Sequence, residues 1–400
     1  MRSRAFLLLF GLLAGTTPLA AADDDGPTTR AGAWLSAHLK SACPDHPEWL
    51  AMFADILRGS QLGPEDGWFP KAVAQTRFGW PTTRARFDRD GDGEIAREEF
   101  PGSGPDFERL DRDHDKFLTP ADFDWSAHAL APSPGAMLYY RADRDGDGKV
   151  TREELMAWFR AADTDELGFL SLDDLKAQFS PPRRRPAAAG PADSGPSKAT
   201  LIRGLFRQEI GSLRPGPALD QPAPDFTLRT LEGDREITLS KTIGPRPVVL
   251  IFGNFTCGPF RIQAGNVEKL YRRYRDRAEF LMVYVREAHP TDGWQMTSND
   301  RQGVTLRQPR TFDERVEVAQ TCKKSLGLEM PLLVDRLDDR VGVTYSGMPS
   351  RLYLIDREGK VAYKSGRGPI GFKPAELQQS LLLLLQANPT NTPGEVGRTD

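Results

Sequence analysis

The spacing of apolar positions changes along this chain from a helical to a strand-like pattern. Residues 33–58 repeat apolar side chains at helical spacing, which predicts one or two short amphipathic helices. Residues 248–252 form a short, continuous apolar run that predicts a buried strand. After Cys257 the helical spacing returns, with apolar positions at Phe260 and Val267 among charged residues. The pattern therefore predicts a helical N-terminal part and an α/β C-terminal part.

The C-terminal part shows a β-α-β pattern followed by β-β-α. Strands are predicted at 226–229, 248–252, 279–286, 332–334, 351–355 and 361–363, and helices at 201–210, after Cys257, at 312–326 and at 374–386. The turn of the last hairpin is the segment 356–359, which ends in glycine.

Composition divides the chain into six segments. We expect a signal peptide at 1–22, a helical segment at 23–80, a domain of acidic repeats at 81–180, a disordered linker at 181–200, an α/β domain at 201–387 and a disordered tail at 388–400. The linker is rich in Pro, Ala, Gly and Arg, so the α/β domain is expected to fold as an independent unit without the acidic repeats.

The N-terminus has the features of a secretory signal. A basic start precedes the apolar run 5–15 and the small residues 20–22, and this run is too short to span a bilayer. The sequence thus predicts an exported protein, periplasmic or extracellular, without a membrane span after cleavage. A retained membrane anchor is the alternative.

Charge and cysteine content exclude some functions. Lys plus Arg total 53 and Asp plus Glu total 56, so the net charge of −3 gives no basic footprint for nucleic acid. The three cysteines, Cys43, Cys257 and Cys322, permit at most one bridge within a monomer. A dithiol oxidoreductase is disfavoured, because no C-x-x-C motif exists.

Cys257 lies where a predicted strand passes into a predicted helix. Unpaired N–H groups and the helix dipole at a helix N-terminus favour a thiolate, so a cysteine at this position is expected to be reactive. An inert core cysteine is the alternative. Cys322 lies on a predicted helix at a spacing that fits either a core residue or a resolving cysteine, and both interpretations stay open.

Two acidic loops, 88–99 and 143–154, match each other position by position. They resemble EF-hands, with carboxylates at loop positions 1, 3, 5 and 12 and glycine at position 6. The oxygen ligands expected for Ca²⁺ are the side chains of Asp88, Asp90, Asp92 and Glu99 with the carbonyl of Glu94, and the side chains of Asp143, Asp145, Asp147 and Glu154 with the carbonyl of Lys149. A solvated acidic surface is the alternative.

Two further loops match the pattern less well. The loop 111–122 offers Asp111, Asp113, Asp115 and Asp122, but lysine replaces the glycine, so weak binding is expected. The loop 163–174 has leucine at a ligand position, and it is expected to bind more weakly still or not at all. The four loops make two pairs, which predicts β-contacts of Ile95 with Leu118 and of Val150 with Leu170.

Segments 252–260, 284–294, 351–355 and 366–369 resemble the iodothyronine deiodinase family. The run Glu-Ala-His-Pro-Thr-Asp-Gly-Trp at 287–294 is the discriminating part, and the resemblance covers about residues 222–386. It implies a thioredoxin fold with a cis-proline at Pro349. The predicted fold class is thus multidomain, an all-α EF-hand domain followed by an α/β thioredoxin-like domain.

The resemblance also implies roles for individual residues. Cys257 takes the place of the family's selenocysteine, which attacks an iodine of thyroxine. Thr256, Tyr284, Glu287 and His289 join the proton network, and His289, Arg367 and Pro349 contact the substrate. Pro309 and Ser350 stand where the family has a histidine and a glutamate.

Three functions remain open from the residues. The first is a reductive dehalogenase of iodinated phenols that uses an external thiol reductant. The second is a thiol peroxidase of the same fold acting on peroxide, and the third is a non-enzymatic, calcium-responsive binding module.

Overall fold

The computed structural model describes residues 27–43, 47–60, 73–125, 134–164, 166–179, 197–368 and 371–387. The expected signal peptide, most of the expected linker and the expected tail lie outside these ranges. Among the described residues, no helix combines the length and apolar character that a membrane crossing requires.

The helices are named in chain order. They are α1 Pro27–Ala42, α2 Glu48–Arg58, α3 Trp80–Phe87, α4 Gly104–Leu110, α5 Pro134–Ala142, α6 Arg152–Ala162, α7 Leu172–Phe179, α8 Lys198–Phe206, α9 Leu239–Thr242, α10 Gly258–Tyr274, α11 Thr297–Arg301, α12 Phe312–Ser325, α13 Arg340–Tyr345 and α14 Pro374–Ala387.

The strands are β1 Gln75–Thr76, β2 Ile95–Ala96, β3 Phe117–Leu118, β4 Thr227–Thr230, β5 Glu236–Thr238, β6 Val248–Gly253, β7 Glu279–Tyr284, β8 Leu332–Val334, β9 Arg351–Ile355 and β10 Val361–Lys364. Within the described residues, eight of them form one sheet in the order β1-β10-β9-β6-β7-β8-β4-β5.

The centre of this sheet has the thioredoxin topology. Strand β6 runs parallel to β7 and antiparallel to β9, which pairs antiparallel with β10. Helix α10 connects β6 to β7, and α14 follows β10. All six residues of β6 are buried, as its continuous apolar run predicts for a central strand. The Met348-Pro349 bond is cis, as the resemblance implied.

The N-terminal part packs into this fold instead of standing apart from it. Strand β1, which the sequence pattern did not predict, pairs antiparallel with β10 at the sheet edge. Phe100 follows loop 88–99, and Phe107 lies on α4 between this loop and loop 111–122. Both side chains belong to the same core cluster as Val249 and Leu381 of the α/β domain. The α/β domain alone would expose part of this shared core, and its independent folding stays a prediction.

The helical pair at the start of the chain also packs on the α/β part. Met52 and Ile56 of α2 form a buried cluster with Leu201 and Leu205 of α8. Helix α8 begins at Lys198, within the segment expected to be linker. An apolar stripe on α8 therefore pairs with α2, and residues on the two sides of the linker meet.

One of the two expected β-contacts between acidic loops forms. Ile95 pairs with Leu118, as predicted. The predicted contact of Val150 with Leu170 is wrong, because both residues are described and neither belongs to a strand or bridge. Lys149, next to Val150, instead extends its Nζ to the backbone oxygen of Leu326, at 2.6 Å, and so joins this loop to the α/β domain.

Candidate active site and metal loops

Cys257 occupies the N-cap position of α10, after the short turn that follows β6, at the predicted junction. The Asn254 side chain organises the surrounding backbone. Its Oδ1 accepts hydrogen bonds from the backbone N–H of Cys257, at 3.0 Å, and of Ala288, at 3.2 Å, while its Nδ2 donates to the carbonyl of Pro349, at 2.9 Å. One buried amide thereby ties the cysteine to the cis-proline loop and to the segment after β7.

A buried carboxylate, Glu287, is the centre of a polar network beside the cysteine. Its Oε2 accepts hydrogen bonds from the N–H of Thr256, at 2.9 Å, and from the Thr256 hydroxyl, at 2.7 Å. Its Oε1 accepts from the hydroxyl of Tyr284, which in turn accepts from the N–H of Phe255 at 3.0 Å. The structure thus brings together three of the residues assigned to the proton network.

Burial dominates the protonation of this network. It raises the pKa of Glu287, against the donors on Tyr284 and Thr256, and it holds the pKa of Tyr284 well above its ordinary value. A carboxyl group with a raised pKa, bonded to a neutral phenol, is suited to hold and pass a proton.

His289 adjoins the same network through its backbone. Its N–H donates to the Thr256 hydroxyl at 3.0 Å, and its Nδ1 lies 3.0 Å from the carbonyl oxygen of Trp294. Since a carbonyl only accepts, Nδ1 carries the proton and Nε2 is left as an acceptor. Burial lowers the pKa of His289 to about 4, so the ring is neutral near pH 7.

The expectation of a lowered cysteine pKa is wrong for this closed arrangement. A backbone N–H of α10, the Arg261 guanidinium and the Ser350 hydroxyl favour the thiolate, as a helix N-terminus should. Burial outweighs all of them and raises the pKa of Cys257 to about 11, because the side chain is only 1% exposed. The thiol is therefore held protonated and covered.

Arg367, which the resemblance assigns as a substrate contact, is bonded to protein groups in this structure, and its contact with a substrate stays a prediction. Its guanidinium donates to the carbonyl of Ser212, at 2.9 Å, and to the hydroxyl of Ser346, at 2.8 Å. It also pairs with Glu48 of α2 at 3.2 Å and is 1% exposed. A carboxylate from outside the α/β domain thus neutralises a buried cation.

The other assigned residues take clear positions. Pro349 lies in the loop bonded to Asn254, beside the cysteine turn. Cys322, on α12, is fully buried in the main apolar cluster, as the core interpretation expects, and it forms no disulfide. The structure leaves its resolving role a prediction.

Sequence reasoning did not assign three residues that shape this site. They are Asn254, Glu48 and Arg261, the last a buried guanidinium that donates to the backbone oxygen of Phe255 and to the side chains of Asn299 and Gln302. Asn254 lay within the motif that carried the resemblance, which was the available signal. Glu48 carried none, because a glutamate at a helix start is common.

Within the described ranges, three groups of carboxylates have oxygens that approach within 4.8 Å of one another. They are Asp88, Asp90 and Glu99; Asp111, Asp113 and Asp122; and Asp143, Asp145 and Glu154. Each group belongs to one predicted loop, so the loop 111–122 forms the same arrangement as the two stronger ones. The loop 163–174 forms no such group among its described residues, and its Asp165 lies outside them.

Unpartnered oxygens support a cation in two of these loops. Oδ1 of Asp111 and Oδ1 of Asp143 are buried and have no hydrogen-bond donor. A buried carboxylate oxygen without a donor is costly unless a cation satisfies it, so these residues fit a hard cation such as Ca²⁺.

The topology and the site define a thioredoxin-fold protein with one cysteine at the head of the helix after the first core strand. Residues 213–383 match the family model of iodothyronine deiodinase, and residues 106–180 match that of an EF-hand domain pair. These matches confirm the resemblance of one region of this chain to the deiodinase family and of another to an EF-hand pair.

Curated relatives align with the same region. A thyroxine 5-deiodinase of Gallus gallus is 35% identical over 158 residues, which are 39% of this chain and 59% of the relative. A type I iodothyronine deiodinase of Xenopus laevis is 31% identical over 155 residues, again 39% of this chain and 59% of the relative. The chain spans little more than half the length of these relatives, so their activities enter below only as proposals.

Solved structures of low similarity also align. A thiol:disulfide interchange protein from Bacteroides sp. is 18% identical, covering 41% of this chain and 88% of that one, with a TM-score of 0.30. This score is too low to carry an argument, and the fold assignment rests on the strand order and connections.

We expect alkylation of Cys257 in the native protein to accelerate with pH. Because burial raises the pKa to about 11, the thiolate fraction should grow about tenfold per pH unit between pH 7 and 10. The measurement is the iodoacetamide rate at this cysteine by peptide mass spectrometry. In the urea-unfolded chain the same thiol should have a pKa of about 8.5. A native rate already constant from pH 7 upwards would contradict the burial argument.

We expect Glu48→Gln to lower the free energy of unfolding by roughly 1–3 kcal/mol, because it leaves the buried Arg367 without its counter-charge. Urea unfolding measures the change. Glu209→Gln is the matched control: Glu209 is half-exposed and lies 3.9 Å from Arg286, so its loss should cost under about 1 kcal/mol. Equal effects of the two substitutions would argue against a structural role for the Glu48 pair.

Proposed function

We propose that this chain is an exported, calcium-binding thiol oxidoreductase that reductively removes iodine from iodinated phenols of the thyroxine type. The observation that carries the proposal is the buried network of Thr256, Tyr284 and Glu287 next to Cys257, within a region that matches the deiodinase family. Such a network can deliver the proton that the reaction requires.

In the first half-reaction the Cys257 thiolate attacks the iodine of the substrate. The sulfur–iodine bond forms as the carbon–iodine bond breaks, and the electron pair of the broken bond stays on the ring carbon. That carbon takes a proton from the network around Glu287, whose raised pKa makes the protonated form available. The products are the deiodinated phenol and a sulfenyl iodide on Cys257.

In the second half-reaction an external thiol attacks the sulfur of the sulfenyl iodide. Iodide leaves with the bonding electron pair, and a mixed disulfide with Cys257 forms. A second external thiol then displaces Cys257 and restores it. Two thiols are oxidised to one disulfide for each iodide released, and the two half-reactions should give ping-pong kinetics.

His289 is suited to hold the phenolic ring. Its Nδ1 proton is committed to the Trp294 carbonyl, so the free Nε2 of the neutral ring can accept a hydrogen bond from the substrate hydroxyl. The Trp294 ring contacts the His289 ring edge to face, with centroids 4.7 Å apart, and restrains its orientation. Because Cys257 is covered, binding of a ring also requires the site to open.

We further propose that the acidic loops hold Ca²⁺. In loops 88–99 and 143–154 the converging carboxylates would bind the ion together with the position-7 carbonyls of Glu94 and Lys149. In loop 111–122 the unpartnered Oδ1 of Asp111 favours a third ion, although Asp122 reaches less far than glutamate. The ions would supply positive charge that holds each loop in its turn.

We expect purified protein with a dithiol reductant to release iodide from thyroxine or a simpler iodophenol. Cys257→Ser should abolish this release, because it removes the sulfur that would take the iodine from the ring. His289→Ala should mainly raise KM, because it removes the acceptor for the ring hydroxyl. Iodide is measured directly, with hydrogen peroxide as a parallel substrate. Peroxide consumption that depends on Cys257, without any iodide release, would replace this proposal with a thiol peroxidase.

We expect calorimetric titration to show at least two bound calcium ions per chain and a rise in thermal stability with calcium, since binding to the folded state alone stabilises it. The double variant Glu99→Gln plus Glu154→Gln should lose these ions, because glutamine cannot supply the bidentate carboxylate of position 12. Unchanged uptake in the double variant, or no uptake at millimolar calcium, would defeat the assignment.

A further inference from the structure

The loop 143–154 is packed against the helix that carries Cys257. The hydroxyl of Tyr139, just before this loop, donates to the backbone oxygen of Ile262 in α10, at 3.0 Å. Lys149, inside the loop, reaches the end of α12 through its bond to Leu326. One side chain before the loop and one within it therefore hold the loop on the α/β domain.

Two glycines bring the backbones of loop and helix together. A Cβ atom on Gly148 would lie 2.1 Å from the backbone oxygen of Arg261, and one on Gly265 would lie 2.2 Å from the backbone oxygen of Gly148. Neither position has room for any side chain. Gly148 also has a φ of +83°, which the EF-hand turn requires. The residue that shapes the metal loop is thus the residue in contact with α10.

The contact continues to the cysteine turn through Arg261. A Cβ on Gly146 would lie 3.0 Å from the Gln302 side chain, and Gln302 accepts a hydrogen bond from Arg261 at 2.6 Å. Arg261 also donates to the backbone oxygen of Phe255, two residues before Cys257. A displacement of the loop would therefore act on the first turn of α10 and on the chain that leads into it.

The loop 88–99 lacks this contact, although its sequence matches. A Cβ on Gly93, its equivalent of Gly148, would meet only the Arg84 side chain, at 3.8 Å, and one on Gly91 would meet nothing within 4 Å. The same metal-loop pattern is thus docked on the cysteine helix in one copy and free of it in the other.

We propose that loop 143–154 is a calcium-controlled clamp on α10, which keeps Cys257 covered while the loop holds its ion. Without the ion, Asp143, Asp145 and Glu154 repel one another, and the loop loses its contact with Gly265 of α10. The first turn of α10 then loosens and the thiol becomes accessible. This inference rests on the proposed function in so far as Cys257 is the reacting thiol.

The test uses the full chain and the iodoacetamide rate at Cys257, compared between millimolar calcium and a chelator. Chelation should raise the rate on the order of tenfold, a coupling of ordinary size between two sites. Cys322, buried in the same core, should remain protected in both conditions. Equal rates at Cys257 in calcium and chelator, or equal gains at both cysteines that indicate general unfolding, would overturn the proposal.

Matched variants separate the two loops. Glu154→Gln in calcium should react at Cys257 as fast as the chelated protein, whereas Glu99→Gln should stay as slow as the wild type. Gly265→Ala should open the site even in calcium, and Gly244→Ala, where a Cβ would have 3.9 Å to its nearest neighbour, should not. An equal effect of Glu99→Gln and Glu154→Gln would refute a specific clamp.

A second measurement needs no variant. Amide hydrogen exchange in the first turns of α10 should be slower in calcium than in chelator, while exchange in β6 stays unchanged. No difference in α10 would contradict the clamp. Neither readout involves a halogenated substrate, so a failure here leaves the proposed deiodination standing, and a failure to release iodide leaves the clamp standing.

Discussion

The burial of the Glu287 carboxyl group, which is 1% exposed, is the constraint on which the centre of this protein depends. Removing a carboxylate from water costs several kcal/mol unless hydrogen bonds replace its hydration. Here the Tyr284 hydroxyl and two donors on Thr256 do so. These donors lie on β7 and on the turn before α10, so strand, turn and acid must keep one relative position. The position of Cys257, which follows Thr256 in this turn, is fixed by the same hydrogen bonds.

The same burial explains why the cysteine does not behave as its position alone suggests. A helix terminus stabilises a charge by about 0.3–1 kcal/mol at an exposed site, whereas full burial shifts a pKa by up to several units. Burial therefore determines the pKa of the Cys257 thiol for as long as the site is closed. An enzyme that uses this thiol needs a step that exposes it, and the closed arrangement protects it from wasteful oxidation until then.

Much of the α/β fold was predictable from local pattern. Strands Leu332–Val334 and Arg351–Ile355 were predicted at their observed bounds, and helix α10 began where a buried apolar run gave way to helical spacing. The two-residue strand β1 was not predictable, because two residues carry no period and its pairing with β10 is a tertiary event. The Glu48 and Arg367 pair was hidden for the same reason, since its members lie more than three hundred residues apart in the chain.

The polar hub at Asn254 shows a different limit of sequence reasoning. An amide side chain after a buried strand has no periodic signature, and its role appears only when the backbones of three segments converge on it. One of these segments precedes β9 and another follows β7, so the Asn254 side chain links the ends of two strands of the sheet. Because α10 starts from this hub and α10 also carries the seat of loop 143–154, packing on one side of the helix and hydrogen bonding at its head cannot change independently. That continuity gives a remote acidic loop a physical route to a buried thiol.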